Sequence, residues 1–208
     1  MARFTLTDDY LASTLRSLGR KDRGLAKALG RYGPPRQRRH PRGFATLVRA
    51  LAGQQLSGKA AATIYGRVLD HFGGELDPAR VSRSRVNTLR KLGLSQRKAE
   101  YLKGLARATT RGELELHRFG RMSDEAIIDQ ISSIRGFGAW SAQMYLIFSL
   151  GRPDVWPVDD LGVQKGMGHI LARTELPRPR ELNELGVRYA PHRSAVALIA
   201  WHVAGAPE

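Results

Sequence analysis

Apolar residues along this chain recur at intervals of three and four, and they nowhere alternate with polar ones over a run long enough for a strand. Leu11, Leu15 and Leu18 repeat in this way behind the acidic pair Asp8-Asp9, which suits a helix start. A second short pattern through Leu25 and Leu29 is predicted to end at Gly30. Phe44, Leu47, Val48 and Leu51 share one face. Ala60, Ile64 and Val68 form the next run, after a break predicted at "AGQQLSG", where Gly53 and Gly58 stand. From Val81 to Thr110 one break is expected, at "LGLS", with Ser95 as the N-cap of the helix that follows. Ser123 or Asp124 caps "SDEAIIDQISSI", and the last helical pattern is "PHRSAVALIAWHVAG". The fold expected is all-α, assembled from helix–turn–helix units.

Charge narrows the class of partner. The 208 residues carry 34 Lys+Arg against 19 Asp+Glu, a formal net charge of +15. Such an excess favours a polyanion, nucleic acid first, over a protein that is merely Arg-rich throughout. Arg31 to Gly43, "RYGPPRQRRHPRG", holds too much proline and glycine for a helix. It reads either as a solvated linker or as a segment that touches phosphate. The absence of cysteine excludes disulfides, thiolate zinc sites and cysteine-ligated iron–sulfur clusters. No apolar run approaches the roughly 18 residues of a membrane span, and the amino terminus lacks the apolar core of a secretion signal. A soluble, cytoplasmic, nucleoid-associated monomer is expected.

Two segments carry candidate chemistry. In "SSIRGFGAWSAQMYLIFSL", Gly136 and Gly138 let the backbone turn between two helical patterns. The helix that starts there presents free N–H groups to an anion, and glycine has no Cβ to keep a phosphate away. Downstream, "GRPDVWPVDDLGVQKG" sets Asp159 and Asp160 between a proline-constrained loop and a helical pattern. Capping needs one of these carboxylates; the other is available for chemistry at an electron-deficient centre.

With these two segments, "FATLVRALAGQQLSGKAA", "LGLSQRKAEYLKGLA" and "PHRSAVALIAWHVAG", the chain resembles the helix-hairpin-helix DNA glycosylase superfamily, and within it the AlkA-type 3-methyladenine DNA glycosylase II group. The resemblance runs from about Phe44 to Gly205 and implies a two-lobed helical HhH-GPD fold with its cleft between the lobes. Residues 1–208 are expected to form one glycosylase unit, 1–43 adding helices and the basic loop to the 44–208 core in a compact form without an amino-terminal β domain. The implied function is monofunctional excision of alkylated purines (3-methyladenine, then 7-methylguanine) from double-stranded DNA. Bifunctional members carry a lysine just after the hairpin; here that place holds Trp140, so no amine is present for a Schiff base. Two other readings stay open: a helix-hairpin-helix DNA-binding protein without catalysis, and a glycosylase for a deaminated or oxidised base.

The resemblance also distributes roles. Phosphate binding falls to the amides near Gly136, Gly138 and Trp140, with Lys98 and Lys165 as side-chain contacts and Lys59 and Arg97 less well placed. A Na+ or K+ ion at the carbonyls of Ile134 and Gly136 is allowed; no other cofactor is implied. The wedge that fills the gap left by a flipped base lies in "GQQLS", Gln55 being preferred over Gln54 and Leu56. The base pocket is assigned to Trp140, Trp201, Met144 and Tyr145; Met144 stands where the family carries a tyrosine one turn after Trp140. His192 and His202 are read as structural. For the catalytic carboxylate, the local Pro-x-Asp turn selects Asp159, whereas counting without a gap from Trp140 selects Asp160. Asp159 is preferred, because loop length varies more readily than that turn.

Overall fold

A computed structural model describes residues 4–56 and 58–206. Among them no strand occurs, and twelve α-helices follow in chain order. They are α1 (Asp8–Gly19), α2 (Arg23–Tyr32), α3 (Phe44–Gly53), α4 (Gly58–His71), α5 (Pro78–Arg83) and α6 (Val86–Lys91). The chain continues with α7 (Gln96–Thr110), α8 (Asp124–Ser132), α9 (Ala139–Tyr145), α10 (Leu161–Ile170), α11 (Pro179–Gly186) and α12 (Arg193–Ala204). The chain divides into two compact units: His40–Tyr145 is one, and Arg3–Arg39 with Leu146–Glu208, as far as described, is the other.

In the first unit α3 is the central element. Phe44, Thr46, Leu47, Val48, Ala50, Leu51 and Ala52 are all buried, against α4, α7 and α9. Thr46, the polar member of that set, donates its hydroxyl to the Pro41 carbonyl, which satisfies that buried group. Leu89, Leu102, Leu105, Phe119 and Ile127 complete the core around it. Short polar side chains start the helices: Asp77, Ser95 and Ser123 each accept a backbone N–H of the first turn.

In the second unit α10 lies directly on α12. A Cβ on Gly166 would stand 1.9 Å from the Ala200 carbonyl oxygen, so the two backbones touch and only glycine fits between them. The N-terminal helices α1 and α2 share this unit's core through Leu11, Leu15, Leu25 and Ala28. Thr7 and Asp22 cap them.

Three local expectations need correction. Helix α2 runs two residues past Gly30, because the residue with left-handed backbone (φ +71°) is Gly33, whose N–H closes on the Leu29 carbonyl. The stretch from Val81 breaks a second time, at Ser84 and Arg85, which are extended. Neither glycine nor proline announces that break; the Lys103 ammonium holds the Ser84 carbonyl there through a tertiary contact. After α9 the chain continues as a π-helical turn, Leu146–Leu150, which apolar periodicity does not reveal.

Candidate functional site

The first unit carries the hairpin. Helix α8 ends at Ser132, the Phe137 N–H closes a turn on the Ile134 carbonyl (2.9 Å), and α9 starts after Gly138. Buried Ile131 and Phe137 hold the turn against the core. The two glycines have different reasons. Gly136 has φ +91°, and a Cβ there would lie 2.1 Å from the Tyr101 ring of α7. Gly138 has nothing within 4 Å of a built Cβ and no positive φ, so the fold of the chain gives it no reason to be glycine. It is exposed, at the head of α9.

The turn between α3 and α4 is fastened to this hairpin. The Gln54 amide donates to the Gly136 carbonyl (2.9 Å) and to Ser141 Oγ (3.3 Å). The Lys98 ammonium donates to the carbonyls of Ala52 (3.0 Å) and Gln54 (2.7 Å), closing the C-terminal end of α3; burial lowers its pKa. Two expected roles therefore change. Lys98 spends two of its three donors on helix carbonyls rather than standing ready for phosphate, and Gln54 is an internal tie rather than a wedge. Gln55 and Leu56 are the exposed residues of that turn, Gln55 with φ +56° and Leu56 44% accessible. Left-handed backbone at a non-glycine residue costs about 1–2 kcal/mol, and such strain concentrates at functional positions.

Trp140 is half-buried on α9, with its ring edge 3.9 Å from a Cβ built on Gly53. Met144 is 7% exposed and Tyr145 fully buried. The Tyr145 hydroxyl accepts the Gly43 N–H (3.0 Å), its ring meets Phe119 edge-on, and burial raises its pKa. With its ring and hydroxyl both inside, Tyr145 is a core residue and has no face to offer a base. The Ile134 carbonyl accepts the Phe137 N–H and the Gly136 carbonyl accepts the Gln54 amide, which leaves each oxygen a second lone pair.

The second unit carries the aspartates, on a loop pinned from several sides. Ser194, fully buried, accepts the Val155 N–H (2.8 Å) and donates to the Arg152 carbonyl (2.7 Å). Arg193 forms a two-pronged pair with Asp154 (2.7 and 2.8 Å), and this hydrogen bonding holds the Asp154 carboxyl below its ordinary pKa. The Trp156 indole donates to the Leu182 carbonyl (2.8 Å), and the Gln164 amide donates to the Val158 carbonyl (2.8 Å). The Asp160 N–H then closes a turn on Pro157 (3.1 Å) and leaves Asp159 exposed at its corner.

The adjacent carboxylates thus differ. Asp160 is the N-cap of α10: its Oδ1 accepts the Val163 N–H (3.0 Å) and also the Trp201 indole N–H (2.7 Å). No bond among the described residues engages the Asp159 carboxylate. Gly162 makes the Asp160–Trp201 contact possible, since a Cβ there would fall 2.7 Å from Trp201 Cδ1 and 3.0 Å from Asp160 Oδ1. Trp201 is backed by Phe148 (5.5 Å between centroids) and forms one wall of an open cavity of about 350 Å³ in the same unit. His202 donates to the Tyr32 carbonyl (3.0 Å), and His192 pairs with the Tyr10 hydroxyl (2.8 Å). Lys165 is exposed on α10 and Lys59 on α4. Sequence reasoning did not anticipate Gly162, Ser194 or the inward role of Gln54. A glycine two residues after an aspartate and a glutamine inside a helix break were the available signals.

Comparison with known proteins follows the same lines. Residues 48–191 match the sequence profile of the HhH-GPD superfamily of base excision DNA repair proteins. DNA-3-methyladenine glycosylase 1 of Schizosaccharomyces pombe is 33% identical over 180 residues, covering 85% of this chain and 79% of that protein. The solved structure of S. pombe 3-methyladenine DNA glycosylase in complex with abasic DNA superposes with a TM-score of 0.84 at 30% identity, over 91% of this chain and 95% of that one. A crystal structure of DNA-3-methyladenine glycosidase from Bacillus halodurans gives a TM-score of 0.76 at 32% identity, over 92% and 89%.

Proposed function

The chain belongs to the HhH-GPD superfamily of base excision DNA repair proteins, and from that premise we propose that it is a monofunctional DNA glycosylase that releases alkylated purines, 3-methyladenine foremost and 7-methylguanine second. Its relatives' names support the substrate class. The observation that carries the reading in this chain is the Asp160 carboxylate, fixed at the head of α10 by Val163 and Trp201.

The chemistry sets what each residue must do. Taking a base out of the stack costs a few kcal/mol, least for a damaged one. Exposed Gln55 and Leu56 can occupy the vacated space, and the ties from Gln54 and Lys98 keep their turn rigid. The hairpin amides bind backbone phosphate, with Gly138 as the residue whose missing side chain admits it. As the bond from sugar to base lengthens, positive charge grows at the anomeric carbon. A carboxylate held in place stabilises that charge without reorganising and orients the attacking water. Asp160 meets this requirement better than Asp159, because its rotamer is locked by two donors whereas Asp159 is exposed at a turn corner. The preference based on the Pro-x-Asp turn is accordingly reversed. Trp201, bonded to the same oxygen, offers an electron-rich face to a cationic base. Trp140 supplies no amine, so hydrolysis ends at an abasic site.

The test is product-resolved base release from methylated DNA. Free 3-methyladenine with intact abasic strands is expected; strand scission with a reducible protein–DNA adduct would refute the monofunctional reading, and no released base would refute the glycosylase. A second expectation concerns Gly162→Ala. The added methyl displaces the Trp201 indole from Asp160, and release should slow by about 10²-fold, as for a misplacement of roughly 1 Å at a reacting centre. Single-turnover release and tryptophan emission check it; an unchanged rate with shifted emission would show that Trp201 does not act through Asp160.

A further inference from the structure

The basic segment after α2 is tied to its own unit at several points. Gly33 turns the chain out of α2, Pro34 and Pro35 stiffen it, and Pro35 is buried. The Gln37 N–H donates to the Asp8 carboxylate at the head of α1, and the Arg39 guanidinium lies over the Phe4 ring (5.2 Å). His202 ties Tyr32, at the start of the segment, to α12. Residues 32, 35, 37 and 39 therefore anchor the segment, and Arg36 and Arg38, alternating with them, both reach the cavity walled by Tyr32, Leu198, Trp201 and His202.

The charge of this pair is uncompensated. Four arginines of the unit meet carboxylates: Arg173 with Glu181, Arg180 with Glu184, Arg188 with Asp22, and Arg193 with Asp154. Among the described residues neither Arg36 nor Arg38 is in an ion pair. Two guanidiniums on a fixed backbone, beside an indole that is hydrogen-bonded to Asp160, match a nucleotide: phosphodiester on the cations and ring or sugar at the aromatic wall. A solvated linker would need neither the buried proline nor the anchor to Asp8.

We infer that the segment 33–39 is a second DNA-backbone clamp, in which Arg36 and Arg38 grip the phosphodiesters flanking the nucleotide lodged at Trp201. The inference rests on the proposed glycosylase reading for the identity of that nucleotide and is separate from the hairpin, which belongs to the other unit. Because contacts within the protein hold the segment at Asp8, Phe4 and His202, its contribution appears as affinity.

The test is the salt dependence of binding to a duplex with one abasic-site analogue, and to the same duplex undamaged. Removing two phosphate contacts should lower the slope of log K against log salt by about 1.8 and raise Kd roughly tenfold near 0.1 M salt in the Arg36→Ala, Arg38→Ala double variant. The loss should be greater on the abasic duplex. Arg36→Lys with Arg38→Lys should keep the slope while losing part of the affinity, and Arg180→Ala, an exposed arginine paired with Glu184, should change nothing. A wild-type slope in the double alanine variant would overturn the clamp, and equal loss on both duplexes would overturn its place beside the lodged nucleotide. Binding requires no bond cleavage. A protein that showed the expected slopes but released no base would thus remove the proposed function and leave the clamp standing.

Discussion

Asp160→Asn is expected to slow base release by about 10²–10³-fold, the loss that follows removal of one preorganised electrostatic partner from a transition state. The substitution is chosen because it isolates charge from structure. Asparagine is as good an N-cap as aspartate, and its Oδ1 can accept the same Val163 and Trp201 N–H groups. What changes is the negative charge at the head of α10, worth about 0.3–1 kcal/mol to the helix. The variant should therefore fold, keep its Trp201 environment and bind an abasic duplex within a few-fold of wild type. Asp159→Asn should stay within a few-fold of the wild-type rate, since its carboxylate is exposed and outside the network around it. Single-turnover release measured on both variants decides between them. Loss in Asp159→Asn alone would transfer the role to Asp159, and wild-type rates in both would end the carboxylate mechanism.

The two hairpin glycines should fail in opposite ways. Gly136→Ala places a methyl 2.1 Å from the Tyr101 ring on backbone with φ +91°. Left-handed strain costs about 1–2 kcal/mol and overpacking about 1–3 kcal/mol, so a loss of about 2–5 kcal/mol is expected. That is a large share of the roughly 5–15 kcal/mol that holds a domain together. Gly138→Ala meets no atom and no strain, so its stability should stay within about 0.5 kcal/mol of wild type. Its effect should appear in DNA affinity, roughly tenfold and independent of base sequence, because the added methyl obstructs amides that bind phosphate. Denaturant unfolding and duplex binding on the same pair of variants separate the two. Unimpaired DNA binding by Gly138→Ala would sink the phosphate-clamp reading of the hairpin.

Much of this architecture was legible from the chain, for identifiable reasons. Helices follow from apolar spacing and from caps such as Ser95 and Ser123, which act within four residues of sequence. The hairpin and the aspartate turn are likewise local, so their motifs survive in a one-dimensional reading. What failed depended on residues far apart. The break at Ser84 is held by Lys103, Tyr145 is buried by Phe119 and Gly43, and Lys98 is drawn to the end of α3. Asp159 and Asp160 could not be ranked by spacing, because what distinguishes them is the Trp201 indole 41 residues away.

The sequence by itself thus determined the all-α class, the hairpin, the aspartate pair and the positive charge that calls for a polyanion. Only the tertiary structure decided which carboxylate is fixed, which glutamine is internal, and that the arginines of the 33–39 segment stand beside Trp201. The division has one physical cause. Backbone preference and capping act between near neighbours, whereas burial and side-chain hydrogen bonding depend on what folding brings within a few ångströms.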